Sequence, residues 1–197
     1  MKIGIINYGG GNLKSVTNAL VRLEQNFEVL DSPSRLEYVD KIIFPGVGSA
    51  KNAMNALKKK GFVEPIKALK KPFLGICLGM QLLSEFSEEG KVKCLDLIPG
   101  KVKKFQSREL KIPQIGWNKV NVVKKNALFD GIKNQDYFYF VNSYYFDAQA
   151  EYVIRTSDYS LKFPSVVLKN NFYAVQFHPE KSGKSGLKLL SNFCNKC

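Results

Sequence analysis

The chain of 197 residues predicts an α/β protein: a mainly parallel open sheet flanked by helices, with an additional, more antiparallel β region in the C-terminal half. Three observations carry this expectation. Short apolar runs alternate with segments of helical periodicity as far as Gly90, which is the pattern of βαβ units. Glycine-containing turns follow three of those runs directly. Beyond Gly90 strand-like runs crowd together with no helical segment between them. No repeat, low-complexity segment or linker divides the chain, so residues 1–197 read as one domain.

Lys2 to Tyr8 is nearly all apolar, as expected of a strand buried on both faces. Gly9-Gly-Gly11-Asn12 then leads into a helix carrying Leu13, Val16, Leu20 and Leu23 on one face, with Asn12 as its N-cap. The glycine run stops short of a dinucleotide fingerprint, because Lys14 holds the last position. Glu28–Asp31 and Lys41–Phe44 supply two further strands. The second enters Pro45-Gly46-Val47-Gly48-Ser49, after which Ala50, Ala53, Met54 and Leu57 mark a helix ended by Gly61. Phe73–Ile76 is the fourth strand. The helical pattern after it is marked by Met80, Leu82, Leu83 and Phe86. In the second half, 119–123, 137–141, 152–156, 166–168 and 173–177 read as strands, the last two joined by a tight turn at Lys169-Asn170-Asn171. Leu187, Leu190 and Phe193 mark a final helix.

The formal net charge of +13 raises the question of nucleic acid. Only Arg22, Arg35, Arg108 and Arg155 carry the planar fork suited to phosphate and base recognition. The lysines are dispersed, and Lys58–Lys60 close a helix where cations complement the dipole. The balance is therefore against a nucleic-acid partner. No apolar run nears the roughly 20 residues that span a bilayer, and the N-terminus enters a strand with no leader pattern. The four cysteines, Cys77, Cys94, Cys194 and Cys197, are scattered and suit a reducing, cytoplasmic setting rather than a disulfide framework. Cys194 and Cys197 have redox- or zinc-like spacing but no second pair.

The chemistry concentrates at Gly75-Ile-Cys77-Leu-Gly79-Met-Gln81. A cysteine between two glycines, where a strand turns into a helix, is the thiol counterpart of the nucleophile elbow. A helix N-terminus lowers a thiol pKa. Taken alone, the same residue also reads as a small buried hydrophobe. The single histidine, His178, follows a strand directly, and Glu180 stands two residues on across Pro179. A carboxylate there can hold the imidazole tautomer, so the three residues supply nucleophile, base and orienter. The Pro45–Gly48 loop offers free backbone N–H groups beyond the carboxyl end of a neighbouring strand, where such sheets place their sites.

Gly75-Ile-Cys-Leu-Gly-Met-Gln81, Pro45-Gly-Val-Gly48 and Phe177-His-Pro-Glu180 resemble the signatures of class I glutamine amidotransferases. Tyr8–Val16, Ile115–Asn118, Tyr139–Tyr144 and His178–Lys181 are similar to the branch that serves imidazole glycerol phosphate synthases of histidine biosynthesis. The resemblance runs from end to end and implies the class I glutamine amidotransferase fold. It implies that Cys77, His178 and Glu180 hydrolyse glutamine, with the oxyanion met by backbone at Gly46, Val47, Gly48 and Leu78. It implies that Gln81, Glu89, Ser143 and Tyr144 hold the glutamine, and that Asn12, Trp117, Tyr139 and Lys181 face a (β/α)8-barrel synthase subunit that receives the ammonia. The family needs no cofactor or metal. Three positions depart from the pattern: Gln114 and Asn142 stand where histidine is common, and Asn7 where aspartate is. They leave room for a paralogous glutaminase that feeds a sugar-modifying amidotransferase. A cysteine peptidase of the elbow type would not be expected to carry Gln81 with the Phe-His-Pro-Glu ending. An interaction module would have lost one of the three catalytic candidates.

Overall fold

The computed structural model describes all residues 1–197. Strands and helices alternate through the first half: β1 (Ile3–Ile6), α1 (Leu13–Arg22), β2 (Phe27–Leu30), β3 (Lys41–Gly46), α2 (Ala50–Lys59), α3 (Val63–Lys67), β4 (Phe73–Cys77) and the short α4 (Leu78–Gln81). There follow β5 (Phe86–Ser87), β6 (Val92–Lys93), β7 (Gly100–Lys104), β8 (Gln114–Lys119), β9 (Asn121–Val122), β10 (Tyr137–Asn142), β11 (Tyr144–Ala148), β12 (Val153–Tyr159), β13 (Leu161–Lys169), β14 (Phe172–Val175) and α5 (Gly183–Lys196).

The main sheet has the order β2-β1-β3-β4-β14-β13-β12-β9. Its first five strands are parallel and its remaining pairings antiparallel, so the antiparallel region extends the parallel sheet. A two-stranded ribbon, β10-β8, and a four-stranded sheet, β11-β7-β5-β6, complete the β structure. Side chains alternate across the parallel strands and separate two cores. Ile3, Ile5, Ile43, Leu74 and Ile76 pack with Val16 and Leu20 of α1, with Leu189, Leu190 and Phe193 of α5, and with Phe138 and Phe140 of the ribbon. On the other face Ile42, Phe44 and Phe73 pack with Met54 and Leu57 of α2 and with Val102 and Phe146 of the four-stranded sheet. The capping signals act as read. Asn12 accepts the Ser15 N–H at the start of α1, Ser49 accepts that of Asn52 at the start of α2, and Gly61 ends the latter turn at φ +74°. Asn170 takes φ +54° in the tight turn between β13 and β14.

Three expectations need correction. The helix after Cys77 ends at Gln81, and Phe86 belongs to β5. The carbonyls of Leu82 and Leu83 accept the N–H groups of Leu95, Leu97 and Ile98 instead of continuing the helix. The strand expected at 119–123 is displaced: β8 ends at Lys119, and only Asn121–Val122 pairs with β12. β5, β6 and β7 go beyond the expectation because strands as short as two residues, or as polar as Gly100–Lys104, carry little apolar alternation, and β11 goes beyond it too although Tyr144–Phe146 is an apolar run. No helix is long and apolar enough to cross a membrane.

Candidate active site

Cys77 closes β4 with φ +55° and ψ −109°, outside the regions open to ordinary L-residues. Its neighbours explain how the turn is accommodated. A side-chain carbon on Gly79 would lie 2.0 Å from the Phe44 carbonyl oxygen, and one on Gly75 would lie 2.8 Å from that of Gly79. The two glycines let α4 collapse onto β3 and β4, and the strained residue between them points its sulfur out of the sheet end. The sulfur lies 3.8 Å from the Val141 carbonyl, to which the thiol donates, and 3.7 Å from the Gln176 amide nitrogen, which donates to it.

His178 follows β14, beside β4 in the sheet, so its ring is brought to the same sheet end. Its Nδ1 pairs with Glu180 Oε1 at 2.9 Å, and both side chains are buried, at 5% and 1% exposure. Burial alone would lower the His178 pKa. The Cys77 sulfur and the Glu180 carboxylate outweigh it and push the value up to about 10. The arrangement therefore favours the charged imidazolium at His178.

The cavity beside them has a volume of about 320 Å³. Of the residues expected at the site, Cys77, His178, Val47, Gly48, Leu78, Gln81, Glu89, Ser143, Tyr144 and Lys181 line it. Glu180 lies behind His178 and away from the wall. Gly46 pairs with Cys77 across β3 and β4 and also stands behind the wall. Gly48, at φ +91°, turns the loop over the cavity. Gln81 is already engaged, its amide nitrogen donating to the Tyr144 carbonyl and to Gln176 Oε1, both at 3.0 Å. Glu89 Oε2 accepts the Ala50 N–H at the start of α2 at 2.8 Å. Trp117 and Tyr139 lie outside the cavity on the outer face of the ribbon, with ring centroids 6.0 Å apart. Trp117 is 55% exposed, beside the exposed Ile115 and Tyr137. Asn12 also lies outside the cavity, at the start of α1. No cluster of three or more His, Cys, Asp or Glu side chains has metal-binding geometry.

Two residues escaped the sequence reading. Gln176, fully buried, links Gln81 to the Cys77 sulfur through its two amide ends. A glutamine interrupting an apolar run two residues before the only histidine was the available signal. Ser182 donates to the His178 carbonyl at 2.6 Å and accepts the Tyr139 N–H at 2.9 Å, while His178 N–H donates to the Tyr139 carbonyl at 2.9 Å. These bonds fasten the histidine turn to the ribbon strand whose outer face carries Tyr139.

The parallel sheet thus carries a strained cysteine at one strand end and a buried His–Glu pair at the end of the neighbouring strand. Residues 4–197 match the family Glutamine amidotransferase class-I, and the chain belongs to that family. It is 47% identical to the imidazole glycerol phosphate synthase subunit HisH of Haemophilus influenzae, over 100% of this chain and 98% of the relative. Identity to the HisH subunit of Desulfitobacterium hafniense is 48%, over 97% of this chain and 92% of the relative. For that of Bacteroides fragilis it is 45%, over 98% of each. Among solved structures, a glutamine amidotransferase superposes with a TM-score of 0.75 at 17% identity, covering 97% of this chain and 96% of the other. A chain of the PurLQS structure from Thermotoga maritima superposes at 0.74 and 17% identity, covering 98% and 97%. At that identity the structural likeness concerns the fold.

Proposed function

We propose that this chain is the glutaminase subunit of an imidazole glycerol phosphate synthase, acting in histidine biosynthesis. The observation that carries the reading is the 47% identity to a HisH subunit along the whole chain. The sharing of one sheet by strands from Ile3 to Val175 supports its acting as one glutamine amidotransferase domain.

In this reading the Cys77 thiolate attacks the side-chain amide carbon of glutamine. The backbone N–H groups of Val47, Gly48 and Leu78 receive the oxyanion, with Gly46 setting the course of that loop. Such a donor typically contributes a few kcal/mol to the transition state. His178, held by Glu180, gives its proton to the departing nitrogen, so ammonia leaves and a γ-glutamyl thioester remains. His178 then takes a proton from water, which attacks the thioester and releases glutamate and the thiolate. Gln81, Glu89, Ser143 and Tyr144 hold the amino-acid end of the substrate. The exposed aromatic face of Trp117 and Tyr139, with Asn12 and Lys181, meets the barrel-shaped synthase subunit. That subunit uses the ammonia to form imidazole glycerol phosphate and AICAR, and the site requires no metal or cofactor.

The test is to co-purify the chain with a candidate barrel subunit and to measure glutamate release with and without acceptor. Stimulation by partner and acceptor, with histidine auxotrophy on loss of the gene, is the expected result. Absence of stimulation by any barrel subunit sinks the coupled reading. Prototrophy with loss of a surface sugar instead assigns the ammonia to a sugar-modifying amidotransferase, the alternative for which Gln114 and Asn142 leave room.

A further inference from the structure

Gln114 and Asn142 lie directly opposite each other in the antiparallel β8–β10 ribbon. Both are buried, at 3% and 6% exposure, on the inward side, while Ile115 and Trp117 point outward. Directly opposed residues of such a pair present their side chains to the same face, about 5 Å apart at Cβ. Neither Oε1 of Gln114 nor Oδ1 of Asn142 meets a donor of the protein. For Asn142 the amide orientation is settled, because its nitrogen donates to the Tyr144 carbonyl at 3.0 Å and leaves the oxygen turned away. Buried acceptors are expected to be matched, so this pair calls for a ligand rich in N–H or O–H donors.

The position identifies the ligand class. Asn142 lines the cavity beside Cys77. The preceding carbonyl, that of Val141, is the one the Cys77 thiol reaches at 3.8 Å. Val141 and Asn142 thus line the cavity, and Gln114 stands opposite Asn142 just behind that wall, on the inward side of the ribbon whose other side is the exposed aromatic face. A small molecule with three N–H donors, generated at Cys77, fits their three acceptor oxygens. We propose that Gln114 Oε1 and Asn142 Oδ1, with the Val141 carbonyl, hold the ammonia released at Cys77 before it leaves past the ribbon. This rests on the glutaminase reading and adds the residues that retain its first product.

Retained ammonia can re-attack the thioester: the new C–N bond forms, the C–S bond breaks, the proton lost by the nitrogen passes to His178, glutamine is regenerated, and the sulfur leaves as the thiolate. The experiment uses the full chain turning over glutamine in 15N-ammonium chloride. It measures 15N-glutamine formed per glutamate released, a ratio that slower turnover or partial unfolding leaves unchanged. Gln114→Met, which keeps length and removes the acceptor, is expected to lower the ratio about fivefold. Gln114→Glu, which keeps an acceptor, is expected to hold it at or above the original value. Gln114→Leu replaces the methionine variant should that chain fail to fold. An unchanged ratio in the apolar variant, or an equal drop in the glutamate variant, overturns the proposal. A native chain that releases no glutamate, with or without a barrel subunit, removes the glutaminase reading itself and this inference with it.

Discussion

The carbonyl oxygen of Phe44 occupies the space that a side chain on Gly79 would need, 2.0 Å from the position of its first carbon. A backbone carbonyl inside a buried parallel strand cannot swing aside as a side chain can, so the contact fixes how closely α4 approaches β3. Gly79→Ala is expected to cost at least about 2 kcal/mol. It is also expected to tilt the elbow enough to remove most glutaminase activity. Urea denaturation with a parallel glutamate assay checks both.

Cys77 is held at φ +55° and ψ −109°, a conformation that glycine tolerates and alanine does not. Cys77→Ala and Cys77→Gly are both expected to lose glutamate release down to background. The glycine variant should be the more stable of the two by about 1 kcal/mol. Denaturant midpoints of the two proteins decide the point.

The raised pKa of His178 sets the pH behaviour. With a folded value of about 10 against an ordinary 6.5, the imidazolium stabilises the fold fully below 6.5, and that contribution fades as the pH climbs to about 10. In the proposed mechanism the proton for the leaving nitrogen stays available over the same range, so kcat/KM is expected to fall on the alkaline side near pH 10. Glu180→Gln removes one of the charges that raise the value. The alkaline limb should then move to lower pH, with kcat down about 10²–10⁴-fold. A pH–rate profile of the two proteins distinguishes loss of the charge from loss of the fold.

Gln176 joins the Gln81 amide to the Cys77 sulfur. Gln176→Leu is expected to lower kcat about tenfold or more. It should also destabilise the protein by about 1–3 kcal/mol, since the Gln81 amide loses a buried acceptor. Steady-state kinetics and thermal melts measure the two effects separately.

Trp117 is 55% exposed and meets Tyr139 edge-on, with ring centroids 6.0 Å apart. Trp117→Ala should change the stability of the isolated chain by less than about 0.5 kcal/mol. Affinity for a barrel subunit is expected to drop by at least about 2 kcal/mol, roughly thirtyfold, as for a buried aromatic anchor. Titration calorimetry with the subunit reads the difference.

Much of this molecule was legible before any coordinates. The alternation of apolar runs and helical faces announced the parallel half. The capping roles of Asn12 and Gly61 and the left-handed turn at Asn170 follow from local chemistry. Glu180 was readable as a partner of His178, because two residues and a proline leave the carboxylate little freedom to be elsewhere. The small sheet of β5, β6, β7 and β11 was not legible, since its strands are held by pairing across the chain and not by their own pattern.

The sequence by itself therefore determined the alternating strands and helices of the first half, the strand-to-helix turn at Cys77 and the proximity of His178 to Glu180. All three are set by interactions within a few residues. Only the tertiary structure decided that α4 stops after Gln81 because Leu95, Leu97 and Ile98 return to take the carbonyls of Leu82 and Leu83. It alone decided that Gln176 reaches the Cys77 sulfur, and that Gln114 and Asn142 face each other beneath the ribbon. Those relationships join residues tens of positions apart, through hydrogen bonds and register that no local pattern encodes.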